Sequence, residues 1–205
     1  QQAAAGHMER MGMMTGVLER LSANWVYGGF MAGFVLLLLT PVFTAGWPQA
    51  ELYVYLVLPV YMLHQFEEHD RDRFRQFVNA HIGHGRAVLT PGFVFAVNIF
   101  GVWWVAALAI LAMRVIDAGW GMVAVYLVLV NAVLHIVQMI AMRQPNPGVW
   151  TAIVLFLPLG AAGFAGLWPV ASLTQHVVSL VLIIALHGVI MARVKAGLAG
   201  SAPAA

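Results

Sequence analysis

Residues 120–142 read WGMVAVYLVLVNAVLHIVQMIAM, a stretch of 23 residues without a single charged side chain. A helix of about 20 apolar residues is long enough to cross the hydrocarbon core of a bilayer. The stretch therefore predicts a transmembrane helix that contains Asn131 and His135. Because polar groups are costly in hydrocarbon, these two residues also indicate where function is expected.

Five further apolar segments of similar length occur along the chain. They run from Leu21 to Ala45, Ala50 to Glu67, Gly92 to Ile116, Val149 to Trp168 and Leu173 to Met191. Of all 205 residues, 62% are hydrophobic and 9% are charged, whereas a soluble domain carries about a quarter charged residues. The sequence predicts an all-α polytopic membrane bundle of six transmembrane helices, which form one domain over residues 21–196.

The two ends of the chain are expected to lie outside this domain. Residues 1–20 are interpreted as an N-terminal tail, in which residues 1–7 (QQAAAGH) resemble a cloning scar. Residues 197–205 are interpreted as a disordered tail, since they end in the sequence GSAPAA.

Lysine and arginine are distributed unevenly between the two sides of the predicted bundle. Six spans place Arg114 alone on one side and nine basic residues on the other: Arg10, Arg20, Arg71, Arg73, Arg75, Arg86, Arg143, Arg193 and Lys195. Because cytoplasmic loops hold the excess of positive charge, both termini are predicted to be cytoplasmic. The expected location is the bacterial inner membrane, as a multi-pass protein.

The net charge of +2 is too small to indicate nucleic acid as a partner. The lipid bilayer and a small lipophilic substrate are the expected partners, and a homo-oligomer is left open.

The connection after the second span has a predicted structure of its own. Residues 67–79 (EEHDRDRFRQFVN) contain no glycine or proline, which favours a helix that continues beyond the membrane.

Four of the predicted spans place a polar residue at a similar depth below the cytoplasmic surface. His64 lies seven residues before Arg71, His135 eight before Arg143, His187 six before Arg193, and Asn98 seven after Pro91. At about 1.5 Å per helical residue, these intervals correspond to depths of roughly 9 to 12 Å. The polar side chains are therefore expected to meet near the inner surface.

Residues 64–69 read HQFEEH, so Glu67 and Glu68 lie three and four residues after His64, on the same helix face. His69 follows at a spacing of five and is expected to point away. Imidazole and carboxylate groups from several helices of a bundle are a common way to hold metal ions. The candidate metal ligands are His64, Glu67, Glu68, His135 and His187, together with His81 and His84 from the inner loop 80–91.

The chemistry of these groups limits which metal ions the site could bind. The chain contains no cysteine, which excludes thiolate sites, and neutral imidazole with carboxylate suits zinc, iron or manganese, as one ion or two. Asn98 and Asn131 are candidate cofactor-binding residues, although Asn98 is equally well interpreted as a residue that joins two helices. Glu67 also has an alternative interpretation to that of a metal ligand: it could form an ion pair with Arg71, one helical turn later.

The string HQFEE at residues 64–68 has the form His-x-x-Glu-Glu at the inner end of an apolar helix. It resembles the motif of the HXXEE-motif family of small bacterial integral membrane proteins. Asn131 and His135, as an Asn-x-x-x-His element, and the later His187 support the resemblance, which extends over residues 25–195. It implies a membrane protein, and it does not specify a reaction.

Two better-known metal motifs are not matched. The inverted zinc-peptidase motif is His-x-x-Glu-His, but Glu68 occupies the position of its second histidine and His69 comes one place too late. The closely spaced paired histidines of membrane di-iron hydroxylases and desaturases are missing as well.

These residues predict a metal-dependent membrane enzyme, either a hydrolase or an oxidoreductase, that acts on a lipophilic or amphiphilic substrate near the cytoplasmic face. His64, His135 and His187 would hold the ion together with Glu67 or Glu68. The remaining carboxylate would act as a general base toward water, whose pKa the ion lowers. Two alternatives use the same cluster, namely a transporter of protons or metal ions and a protein that binds haem between paired histidines.

Overall fold

The computed structural model describes the backbone of residues 2–200 and the side chains of residues 16–200. Within this part of the chain every regular element is a helix. Helix α1 covers Gln2–Phe43, α2 covers Gln49–His69 and α3 is the short helix Arg73–Phe77. Four long helices follow: α4 (Pro91–Val115), α5 (Ala118–Met142), α6 (Val149–Leu167) and α7 (Leu173–Ala199).

Among the described residues, five helices are long and apolar enough to cross a membrane, which is the pattern of a multi-pass membrane protein. They are residues Gly16–Phe43 of α1 and the whole of α4, α5, α6 and α7. The remaining long helix, α2, has 21 residues, and at about 1.5 Å per residue its length also matches a bilayer core of about 30 Å. The polar side chains of residues 64–69 lower the mean hydropathy of α2, so α2 is less apolar than the other five helices.

Helix α2 occupies the centre of the bundle, in contact with α1, α4, α5 and α6. Its residues Val54, Val57 and Tyr61 are almost completely buried. By contrast, outer helices turn large apolar side chains outward, such as Leu38 on α1 (78% exposed) and Leu173 on α7 (79%). Because other helices pack around α2, its polar residues His64, Gln65 and Glu68 are buried within the protein.

The terminal helices extend beyond the predicted domain boundaries. Helix α1 begins at Gln2, inside the predicted tail of residues 1–20, and α7 continues to Ala199, past residue 196. The side chains of residues 1–15, which include the scar predicted at residues 1–7, lie outside the described part of the chain, as do residues 201–205 of the predicted disordered tail.

The predicted helical continuation of α2 over residues 67–79 is wrong at one point. Helix α2 ends at His69, and a 3-10 turn (Asp70–Asp72) follows in which Arg71 and Asp72 have φ angles of 53° and 63°. Such left-handed conformations usually fall on glycine, so nothing in the local sequence signals this turn. After it the chain resumes as α3 and the π-helical turn Val78–Ile82.

The bundle end opposite the motif is held by polar contacts between helices. Arg114 of α4 forms an ion pair with Glu51 of α2. Asp117, at the start of α5, accepts hydrogen bonds from the Gln175 amide of α7 (2.6 Å) and from the N–H of Gly119 (2.9 Å). These two hydrogen bonds favour the carboxylate and hold the pKa of Asp117 below its ordinary value.

The Asp117 contact gives a pH-dependent contribution to stability. Because the pKa is lowered on folding, this contribution is present above about pH 4, the ordinary pKa of aspartate, and is lost as the pH falls through the lowered pKa. We expect Asp117→Asn to lower the melting temperature of the purified protein at neutral pH and to have a progressively smaller effect as the pH falls below about 4. Equal melting temperatures at neutral pH would show that the carboxylate contributes nothing.

Candidate metal centre

The buried carboxylate of Glu68 lies between two imidazoles. Glu68 is on α2 one turn after His64, and the two residues are 6% and 0% exposed. Glu68 Oε2 lies 3.4 Å from His64 Nε2, and Glu68 Oε1 lies 3.5 Å from Nε2 of His135 on α5. The three residues offer ligand atoms within 4.8 Å of one another, and this group could hold a metal ion.

His135 faces α2 because it continues the buried stripe of α5. Val128 and Ala132, seven and three residues earlier, are completely buried, and this spacing corresponds to one face of a helix. The same packing that buries the apolar stripe therefore brings the His135 ring to Glu68.

Hydrogen bonds on the far side of His64 determine which of its ring nitrogens carries the proton. Its Nδ1 lies 2.8 Å from Thr151 Oγ1 on α6. The Thr151 hydroxyl donates its proton to the Glu67 carboxylate (2.5 Å), so toward His64 it accepts, and Nδ1 is assigned as the protonated nitrogen. His64 Nε2 then carries a lone pair, and it is buried without a hydrogen-bond partner among the described residues.

Asn146 fixes His135 in the same way. The Asn146 Nδ2 amide donates to the backbone carbonyl of His135 (2.7 Å), which can only accept. Its Oδ1 therefore faces His135 Nδ1 at 2.6 Å and accepts the proton from that nitrogen. The lone pair of His135 Nε2 points toward Glu68, which is how outer hydrogen bonds orient histidines that bind metals.

The distances between these atoms fit a shared cation. A carboxylate and two imidazole lone pairs are all acceptors, so they repel one another unless a positive charge lies between them. Hydrogen bonds from N–H to O are about 2.7–3.2 Å long, which is shorter than the 3.4 and 3.5 Å found here. In a tetrahedral site with metal–ligand bonds of about 2.1 Å, neighbouring ligand atoms lie about 3.4 Å apart.

The connection between α5 and α6, residues 143–148 (RQPNPG), brings its backbone close to the two imidazoles. Gly148 has a φ of 94°, a conformation that other residues rarely adopt. A Cβ at this position would lie 2.8 Å from His135 Cε1 and 2.9 Å from His64 Cε1. Only glycine lets the backbone approach both rings.

The second carboxylate of the motif, Glu67, binds the first turn of α6. It accepts hydrogen bonds from the backbone N–H of Thr151 (2.7 Å) and of Trp150 (3.3 Å). The free N–H groups at a helix N-terminus favour a negative charge. Glu67 thus holds α6 against α2 and places the Thr151 hydroxyl beside His64, whereas the spacing in the sequence suggested Arg71 as its partner.

His69 was not anticipated from the sequence. Its spacing of five predicts a ring that points away, yet its Nε2 lies 3.1 Å from Glu68 Oε2 and the residue is 6% exposed. The reason is that α2 ends at His69, where φ is −116°. The ring packs between Trp25 and Phe74, with centroid distances of 5.1 and 5.3 Å.

A family model described as "Protein of unknown function with HXXEE motif" matches residues 55–163. The match covers more than half of the chain and contains His64, Glu67, Glu68 and His135. The chain belongs to the HXXEE family. The resemblance drawn from residues 64–68 is thereby confirmed, over a shorter region than residues 25–195. No curated protein and no solved structure matches this HXXEE protein significantly.

Three histidines predicted as ligands lie outside the group formed by His64, Glu68 and His135. His187 of α7 directs Nδ1 to the backbone carbonyl of Ile183 (2.8 Å) and lies beyond the region matched by the family. His81 and His84 are exposed, and His81 packs on the Phe77 ring at a centroid distance of 4.5 Å. A ligand role for these three residues stays a prediction.

The two predicted asparagines have different surroundings in the HXXEE protein. Asn98 belongs to a buried chain of hydrogen bonds in which Trp103 donates to Gln65 (2.5 Å) and Gln65 donates to Asn98 (2.7 Å). Asn98 in turn donates to the Val94 carbonyl (2.9 Å), so its surroundings match the interpretation as a residue that joins helices. Asn131 Oδ1 is buried without a partner among the described residues.

A cavity of about 520 Å³ opens beside the centre, between α4, α5 and α7. Glu68, His69 and His135 form part of its wall, and most of its other lining residues are apolar. Its volume falls in the range of pockets that bind small molecules, about 300–1,000 Å³. The three-residue group is therefore buried and yet borders a space that a ligand could enter.

Gly148→Ala tests the geometry of the centre without removing any ligand atom. The added Cβ would displace both imidazoles, and we expect metal affinity to fall about tenfold or more, the scale of changes around metal ligands. The measurement is metal titration of the purified variant. Gly92→Ala is the matched control, since a Cβ there has nothing within 4 Å, and an equal loss in both variants would contradict the geometry.

Proposed function

We propose that this HXXEE protein is a metal-dependent membrane enzyme that acts on a lipophilic or amphiphilic substrate. His64, Glu68 and His135 would hold one divalent ion. The observation that carries the proposal is the position of Glu68, whose oxygens lie 3.4 and 3.5 Å from Nε2 of His64 and of His135, with the opposite side of each imidazole fixed by Thr151 or Asn146. A cation among these groups would remove their mutual repulsion.

Two imidazoles and one carboxylate form a ligand set that enzymes use for catalysis. The same set holds catalytic zinc in hydrolases and iron in a class of oxygenases, and manganese is compatible with it as well. In both classes the protein leaves coordination positions open, where structural sites would be closed. When bound, the ion would supply a Lewis acid that polarises the substrate.

The chain's own residues would orient this centre and move protons beside it. Thr151 and Asn146 hold the imidazoles, and Glu67 fixes the start of α6. Because Glu67 is already engaged with α6, the geometry favours His69 as the group that holds or releases a proton. His69 borders the cavity and touches Glu68 Oε2.

The surroundings of the centre support an enzyme over a transporter. A relay or pore needs polar groups along its full length. Toward the opposite surface, the core beside His64 is closed by apolar side chains that are at most 1% exposed: Val54, Val57, Leu127, Val128 and Phe156. The haem alternative has less support as well, because His135 Nε2 is directed to Glu68.

We further propose that α2 is the sixth span and that both chain ends lie in the cytoplasm, in the inner membrane of a bacterium. The support is the length of α2, its position inside four other helices and the excess of basic residues at the bundle end where α2 stops. The centre would then lie just below the cytoplasmic surface, within reach of a substrate in the inner leaflet. The bilayer would be its main partner.

Elemental analysis of purified protein tests the metal centre. We expect near-stoichiometric metal in wild type and at least a tenfold lower content in His64→Ala, Glu68→Ala and His135→Ala, since each removes one of three ligands. His176→Ala is the matched control, because His176 lies near the opposite bundle end, bound to Tyr126, and it should keep its metal. His187→Ala should also keep it if three ligands suffice.

Two results would contradict the proposal. One is wild-type protein that holds no metal after mild purification and shows no affinity on titration. The other is a Soret absorption band, which would identify haem instead.

The absence of native cysteine allows the topology to be tested with single cysteines. Ala45, between α1 and α2, and Ala87, between α3 and α4, are both exposed. We expect an impermeant maleimide to label Ala45→Cys in right-side-out vesicles and Ala87→Cys only in inverted vesicles. Labelling of both from the same side would show that α2 does not cross the membrane.

A further inference from the structure

The cavity of about 520 Å³ beside the metal centre, called the slot below, has both apolar and polar lining residues. Apolar residues of α4, α5 and α7 form most of its wall, among them Val97, Leu134 and Ile190. Glu68 and His135 also line this cavity. A ligand that fills the slot would therefore have an apolar chain along the helices and a polar group near the metal centre.

The charge of the lining residues restricts the polar group. Among the residues that line the cavity there is no lysine or arginine, and Glu68 is the one with a carboxylate. A phosphate, sulfate or carboxylate head would find no cationic side chain among these residues, and the ion of the proposed centre, already paired with Glu68, would be the one positive charge within reach. The slot therefore suits an uncharged head.

His187 presents a hydrogen-bond acceptor to this slot. Its Nδ1 lies 2.8 Å from the Ile183 carbonyl, and since a carbonyl only accepts, Nδ1 carries the proton. In the neutral ring Nε2 is then an acceptor, and His187 lines the cavity. A ligand with an O–H or N–H group could donate to it.

Asn131 presents a second polar group from the facing helix. It lies one turn before His135 on α5 and lines the same cavity. Its Oδ1 is buried without a hydrogen-bond partner among the described residues, which is unfavourable in a folded protein. A ligand that donates to this amide would remove that cost.

We infer that the cavity binds an uncharged amphiphile with a single apolar chain and a hydroxyl or amide head, which Asn131 and His187 hold beside the metal centre. This assignment rests on the proposed function, because it makes the bound molecule the substrate of that centre. Asn131 and His187 are positioning residues: they bind the head and leave the ligation of the metal to His64, Glu68 and His135.

Photo-crosslinking in phosphatidylcholine nanodiscs tests the assignment. The probe is hexadecanol with a diazirine in its chain, and mass spectrometry locates the labelled peptides. Hexadecanol, hexadecane and hexadecyl sulfate serve as competitors, since they share one chain and differ only in the head. We expect labelling on α4, α5 and α7, and hexadecanol to compete about tenfold better than the other two.

Variants test the two positioning residues. Asn131→Leu and His187→Phe should each lower specific labelling about fivefold, the scale of one lost hydrogen bond, while their metal content stays at the wild-type level. His187→Gln, which restores an acceptor, should recover part of the labelling. His176→Phe is the matched control on the same helix and should label as wild type does.

The outcomes separate this assignment from the proposed function. Equal competition by hexadecane, or better competition by hexadecyl sulfate, overturns the assignment, and so does wild-type labelling of both Asn131→Leu and His187→Phe. The competition series uses wild-type protein, so it decides even if a variant fails to fold. Selective labelling of protein that binds no metal supports the assigned ligand and contradicts the enzyme.

Discussion

The structure depends on one buried negative charge. Glu68 lies inside the bundle, away from water, and in hydrocarbon or protein such a carboxylate is stable only if positive charge or hydrogen-bond donors surround it. The neutral imidazoles of His64 and His135 present lone pairs and so donate no hydrogen bond to this carboxylate. His69 lies within hydrogen-bond distance of one of its two oxygens, Oε2. A bound cation would balance the negative charge of Glu68. The types of ligand at the centre and their burial therefore both favour a metal ion.

The supporting residues come from separate helices that converge on this charge. Glu67 ties the first turn of α6 to α2, and α6 supplies Thr151 to His64. The loop that follows α5 supplies Asn146 to His135, and its Gly148 permits close approach. Each contact fixes a neighbour of Glu68 and joins two helices at once, so the geometry of the centre and the packing of the helices around it cannot vary independently.

The sequence predicted those features that follow from local rules. The length of the apolar segments predicted the helices, and the four-residue spacing of His64 and Glu68 predicted their shared face. The similar depths of His64 and His135 also predicted that the two residues meet, but the contacts around them could not be predicted. His69 depends on where α2 ends, and that end depends on left-handed Arg71 and Asp72. Asn146 was detectable only as an asparagine between two prolines close to His135, and nothing in the motif marks Thr151.

The central position of α2 has a consequence for biogenesis. A helix that carries two carboxylates near its end and two histidines is a poor candidate for release into lipid by itself, since translocon insertion disfavours charged residues by about 3 kcal/mol each. Its neighbours α5 and α6 are synthesised later. With α2 as the proposed sixth span, nascent α2 would have to stay at the insertion machinery, or pair with α1, until the rest of the bundle emerges from the ribosome to enclose it.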